Sequence, residues 1–360
     1  MLRYLLSDQV AETRDACDRK EDLRALLFFY KPYYGETIVM SRKTKPIKPF
    51  LTYDQQIEHL KNVKKLIITD DASARKSLHN ISYYALVGGY KSLFYDPMTR
   101  TYLPGTTFDD LLTLYEFDES LRTQVFEYSN IIEQKLRSAI SYAFCENYGN
   151  LQDDYLNPSH YRNTRMSRYS IGKLVNILEH IVTKDTDHEY IVYQRNAYGN
   201  VPLYAASKVM TFGQLSAMYS LLMHRIQILV SQEFSTETTT MTDIELMMYL
   251  RVLTHFRNRC AHIERLFSYK DRYDIPDTSL HEKLKIPLKG KQYIYGKHDL
   301  FAIVIAYKYL LPKENFIVFK RSLANLIHQT VIKASTLTEK KLLDSMGFPE
   351  NWKNITRYKI

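Results

Sequence analysis

The hexapeptide Arg257-Asn258-Arg259-Cys260-Ala261-His262 gathers two guanidiniums, a carboxamide and an imidazole. A guanidinium fork matches the oxygens of a phosphate, and an imidazole exchanges protons near neutral pH. Such groups fit a phosphodiester reaction on RNA. RNA carries its own nucleophile, the 2′-hydroxyl, so cleavage needs a proton carrier and a cation for the charge on phosphorus. In this reading His262 moves the proton and Arg257 holds the phosphate. Asn258, four residues before His262 and on its face, orients the imidazole or the phosphate. The skeleton of one Arg and one His carries no information by itself. With 11 His among 360 residues, chance yields about two Arg–His spacings of this kind. A second one, Arg321–His328, is the reserve candidate.

The element that must position these groups is a helix predicted over 242–268. Thr242 and Glu245 form a capping box at its start. Leu246, Tyr249, Leu253, Phe256, Cys260, Ile263 and Phe267 recur at alternating spacings of three and four, an apolar seam that faces the core. A polar stripe formed by Arg251, His255, Asn258, His262 and Arg265 runs along the opposite face, without Lys or acid. Arg251, His255, Arg259 and Arg265 are the candidate RNA-binding residues, and Cys260, in the seam, reads as packing rather than as a nucleophile. Arg257 and His262, five residues apart, stand roughly 140° apart around an ideal helix. To share one phosphate they need either a distorted helix or two copies of the helix meeting across a two-fold axis.

The rest of the chain supplies helices. Stripes at Ile57, Leu60, Val63 and Leu66, and at Leu111, Leu114, Leu121, Val125, Tyr128 and Ile132, predict two of them. The second starts at a Thr107–Asp110 cap and runs to Asn147, where Gly149 stops it. Further helices are expected over 71–94, meeting Gly88-Gly89 on the way, and over 167–183, 202–222, 224–233, 298–311 and 313–334, with a short one after Thr338. Residues 95–107 and 283–297 read as loops that can hold short hairpins. No strand pattern is long enough for a sheet, so the class is all-α. Residues 1–45 read as a poorly specified extension, with Met40 a possible translation start ahead of the basic run Arg42, Lys43, Lys45 and Lys48. Residues 46–270 read as the main helical domain and 271–360 as a basic loop with a helical subdomain.

Composition narrows the function classes. Hydrophobic residues make up 45% and charged residues 25%, which excludes a chain disordered as a whole or a fibrous one. No apolar stretch reaches the roughly 18 residues of a membrane span. The charged amino terminus shows no secretory apolar core, and Cys17, Cys145 and Cys260 have no metal-binding or disulfide-framework spacing. The expectation is a cytoplasmic protein without membrane, metal or cofactor. A net charge of +9 and 30 Tyr suit a polyanionic partner with bases to stack on, nucleic acid being the commonest, and suit equally a basic chain that binds none and an AT-rich genome. Lys283, Lys285, Lys289, Lys291 and Lys297 can bind its backbone or simply solvate a loop.

RNRCAHIERL, with LRVLTHF upstream, resembles the signature of the HEPN superfamily and, within it, the Abi-like (AbiD/AbiF) branch associated with bacterial abortive infection. KPFLTYDQQIEHLK, ISYYALVGGYKSLF, TTFDDLLTLYEFDESLR, IIEQKLRSAISYAFCENYG and PLYAASKVMTFGQLSAMYSLL resemble that family's blocks in the expected order, over roughly 46–270. Ile263 and Phe267 depart from it, standing where the family often has a polar residue and a Trp. The resemblance implies a HEPN-type helical bundle and a composite site at a homodimer interface. It also implies a metal-independent endoribonuclease leaving a 2′,3′-cyclic phosphate, acting as a toxin-type antiphage effector. A cognate small regulatory RNA is a possible restraint. The alternatives are a non-catalytic RNA-binding protein held with such an RNA, and a helical protein-interaction module. Glu264 reads as solvent-exposed or as a partner of Arg257, and the Glu133–Arg137 pair as helix support.

Overall fold

The computed structural model describes residues 49–236 and 238–360. The amino-terminal expectations, from the 1–45 extension to the basic run at 42–48 and Cys17, lie outside the described residues. Within them the architecture is all-α, with two hairpins of two residues per strand. The helices are α1 (Tyr53–Glu58), α2 (Asp71–Ile81), α3 (Phe108–Tyr148), α4 (Gln152–Leu156), α5 (Arg168–Lys184), α6 (Glu189–Tyr198), α7 (Leu203–Val209) and α8 (Phe212–Leu221). After these come α9 (His224–Gln232), α10 (Asp243–Ala261), α11 (Ser279–Lys283), α12 (Leu300–Leu310), α13 (Lys313–Lys333) and α14 (Glu339–Met346). No helix among the described residues is long and apolar enough to cross a membrane.

The 41-residue α3 is the spine. Thr107 and Asp110 close its reciprocal capping box at 2.9 and 3.1 Å, and Gly149, at φ 108°, ends it. Its predicted apolar stripe, Leu111 to Ile132, is buried throughout. Against it pack α7, α8, α9, α10 and α13, so the carboxy-terminal helices share its core.

Several elements differ from the periodicity. The stretch 202–222 is two helices, because Thr211 caps a new one through Gln214. The 71–94 segment breaks at Ser82, at φ 73°, and continues as a π-helical turn over Tyr84–Gly88. A second π-helical turn, His59–Val63, rotates Val63 out to 54% exposure. Both suspected hairpins form, Tyr95–Asp96 with Thr101–Tyr102 and Leu288–Lys289 with Gln292–Tyr293. Helices α4 and α6 carried no strong periodic signal in the sequence.

Candidate active site

Helix α10 begins as expected, with the Thr242 and Glu245 groups exchanging hydrogen bonds at 3.0 and 3.2 Å. Its apolar seam is buried from Leu246 through Cys260. The expected continuation to 268 does not form, because the helix ends at Ala261 with His262 as its cap. Ile263 turns into the left-handed region at φ 55°, and the Ile263 and Glu264 amides bond back to the Cys260 and Arg259 carbonyls at 3.2 and 3.0 Å. This is the paired-bond helix stop that usually places glycine at its left-handed position. Ile263 therefore leaves the seam and stands 72% exposed, whereas Phe267 is buried from the following loop.

That loop hangs from α3. Buried Asp118 accepts the Leu266 and Phe267 amides, the latter at 2.7 Å, together with the Tyr90 hydroxyl and the Arg122 guanidinium, each at 2.7 Å. Burial raises the Asp118 pKa, partly offset by these donors. Burial, with the Asp118 charge added, pushes the Cys260 thiol up to about 12, which makes it an inert packing group.

Arg257 leaves α10 toward α3. Its guanidinium lies 4.9 Å above the Phe126 ring and 3.5 Å from Glu133, and its side chain is 20% exposed. The Glu133 carboxylate also accepts Arg137 at 2.8 Å. Arg137 in turn donates to the Ser207 and Met210 carbonyls at 2.8 and 3.1 Å. Glu133 is thus more than helix support, since it joins α3, α7 and the Arg of the motif. The Arg257 contact stops short of a hydrogen bond. Arg257 Nε and Glu133 Oε2 are both buried without a hydrogen-bond partner among the described residues.

His262 takes the opposite disposition. It is exposed at the helix end, and its imidazole has no hydrogen-bond partner among the described residues. Its amide bonds to the carbonyl of half-buried Asn258 at 3.0 Å. Ala261 and Ile263, on either side of it, line a groove of about 570 Å³ with Phe126, Arg122, Glu119 and Glu127 of α3.

The remaining polar stripe acquires partners from outside the helix. His255 Nδ1 meets the buried Asp271 carboxylate at 2.7 Å, and Arg251 lies 4.7 Å over Tyr273. Arg259 pairs with Glu264 at 2.7 Å and covers Tyr269 at 4.1 Å. Glu264 accordingly serves Arg259, not Arg257. Arg265 donates to the Gly89 carbonyl at 2.5 Å. Lys297 is buried, bonded to the Ile275 carbonyl and to Asp277, and so leaves the candidate basic loop. Arg321 and His328 are both exposed on α13. Glu133, Asp118 and Asp271 were missed as site-building residues. The only sequence signals were the four-residue spacings Asp118–Arg122 and Glu133–Arg137, which any surface helix can show.

Neither a curated protein nor a solved structure matches the chain. A family model described as Abi-like protein matches residues 76–268, which takes in α3, the groove, the whole of α10 and the loop after it that carries Phe267. The chain belongs to the Abi-like protein family.

Proposed function

We propose that the chain is a HEPN-type, metal-independent endoribonuclease of abortive-infection defence, working in the cytoplasm as a homodimer whose sites combine residues of both copies. The observation that carries this reading is the unequal fate of the motif residues. The His262 imidazole is exposed and without a partner among the described residues, whereas Arg257 is drawn 3.5 Å from Glu133 at the α3 interface. A phosphate reached by both groups is better served by the His262 of one copy and the Arg257 of another. The groove beside His262 supports the same arrangement. Phe126 and exposed Ile263 give it apolar walls, and Glu119 and Glu127 give it acids. Such a surface suits a protein partner better than a phosphate backbone.

In this mechanism the 2′-oxygen forms a bond to phosphorus as the bond from phosphorus to the 5′-oxygen breaks. His262 carries the proton between the nucleophile and the leaving oxygen. Arg257 neutralises the non-bridging oxygens and Asn258 orients the phosphate, since its one bond to His262 is between backbone groups. The products are a 2′,3′-cyclic phosphate and a 5′-hydroxyl. Arg251, His255, Arg259 and Arg265 hold flanking RNA, and a small RNA bound there restrains the free enzyme.

Labelled RNA incubated in EDTA tests the chemistry. Wild type cleaves, and His262→Ala and Arg257→Ala each lose about a hundredfold or more. RNA bound but uncut by all three would support the non-catalytic binding protein instead. Mixing tests the composite site. Each variant alone is inert, and equal amounts refolded together recover roughly a quarter of wild-type activity, because half the pairs are mixed and each has one intact site. No recovery places both residues of a site on one chain.

A further inference from the structure

The carboxy-terminal half of α3 borders a cavity that the proposed reaction does not use. Between α3 and α7 lies a cleft of about 950 Å³ with Arg137, Ser141, Tyr142, Glu146, Tyr204 and Lys208 in its walls, a size typical of ligand pockets. Its tyrosines face solvent, Tyr142 at 68% and Tyr204 at 56% exposure. Seven tyrosines are exposed among the described residues, and five of them, Tyr142, Tyr190, Tyr193, Tyr198 and Tyr204, belong to α3, α6 and α7. The Lys208 ammonium rests 5.1 Å over the Tyr190 ring, which holds a cation at the rim. On the other side of Tyr142 a second hollow, of about 430 Å³, is lined by Lys135 and Gln232. Tyr142 is therefore an aromatic ridge between two depressions.

The charges select among ligands. Arg137 is already committed to Glu133 and two carbonyls, and Glu146 accepts the Tyr142 hydroxyl at 3.1 Å. A bare anion would find one available ammonium and one carboxylate. A ligand that draws most of its affinity from flat faces, with a single phosphate for Lys208, fits better. We propose that this cleft docks single-stranded RNA, with successive bases on Tyr142 and Tyr204 and a phosphate at Lys208. The inference takes from the proposed function only that RNA is the partner. Arg137, in the cleft wall, is one turn of α3 from Glu133, so the same helix leads from the docking site to Arg257.

The test uses the full chain carrying His262→Ala and a fluorescein-labelled uridine octamer, read by anisotropy, with uridine monophosphate as competitor. Tyr142→Ala and Tyr204→Ala each weaken octamer binding about tenfold, with melting temperatures unchanged because both rings are exposed. Lys208→Gln lowers the slope of log affinity against log salt by about 0.7. A 4-thiouridine octamer crosslinks to Tyr142 or Tyr204. Unchanged affinity in all three variants, or crosslinks confined to other helices, overturns the proposal. Competition by the monophosphate at the octamer's own concentrations also overturns it, in favour of a free-nucleotide site. Binding and cleavage are separable here. An inert wild type whose RNA affinity needs Tyr204 sinks the nuclease reading alone, and an active wild type indifferent to Tyr204 sinks the cleft alone.

Discussion

Glu133 is 7% exposed and faces two guanidiniums, Arg137 through a full hydrogen bond and Arg257 through a looser contact. Removing a partner from a mostly buried ion pair leaves charges that water reaches poorly. Glu133→Ala is therefore expected to lower stability by about 3 kcal/mol, visible in urea titration as a lower midpoint at constant slope. Glu133→Gln, which keeps the volume and one acceptor, loses less. The comparison separates the charge from the packing. If both variants melt with wild type, Glu133 holds neither arginine.

At the scale of the element, the end of α10 is the informative feature. A β-branched residue in the left-handed region costs roughly 1–2 kcal/mol, and Ile263 gains little burial in return. Ile263→Gly is expected to raise the stability of the isolated protomer by about 1 kcal/mol after allowing for glycine's own entropy. The proposed dimer would weaken in the same variant. Equilibrium unfolding and analytical ultracentrifugation on one preparation read the two effects. This element also shows how far the sequence is legible. Capping boxes at Thr107, Thr242 and Thr211 are local, and the first two were read directly. The seam from Leu246 to Cys260 is a simple periodicity and was read as well. The helix stop was not, because no Gly or Pro marks it. It depends on Asp118, 148 positions before Leu266, accepting amides that would otherwise continue the helix. The acid opposite His255 was invisible for the same reason, since Asp271 comes from a loop that returns to the helix.

For the molecule as a whole, pH acts through a buried carboxylate outside the motif. Asp299 caps α12, accepting the Ala302 and Gly296 amides near 3.0 Å. Gly347 closes over it so tightly that a Cβ would lie 2.2 Å from its carboxylate. Burial raises its pKa to about 6 from 3.8. The folded state binds this proton more tightly than the unfolded chain does. The contribution to stability is complete below pH 4 and is lost as pH rises through 6. Relative to Asp299→Asn, wild-type stability is expected to fall by about 2 kcal/mol between pH 4 and pH 7. Parallel urea titrations at the two pH values measure the difference, and a constant gap rejects the assignment.

The 41 residues of α3 extend for about 60 Å at 1.5 Å each. Along that length Asp118 fixes the loop after the motif, Glu133 meets Arg257 and Tyr142 stands over the cleft. The helix thus acts as a gauge. One residue inserted or deleted between Asp118 and Tyr142 would swing everything beyond it by about 100° and detach one contact from the next. Length variation among relatives should therefore collect in the flanking hairpin and in the turn after Gly149, and the count from Asp118 to Tyr142 should stay fixed even where the residues between them change.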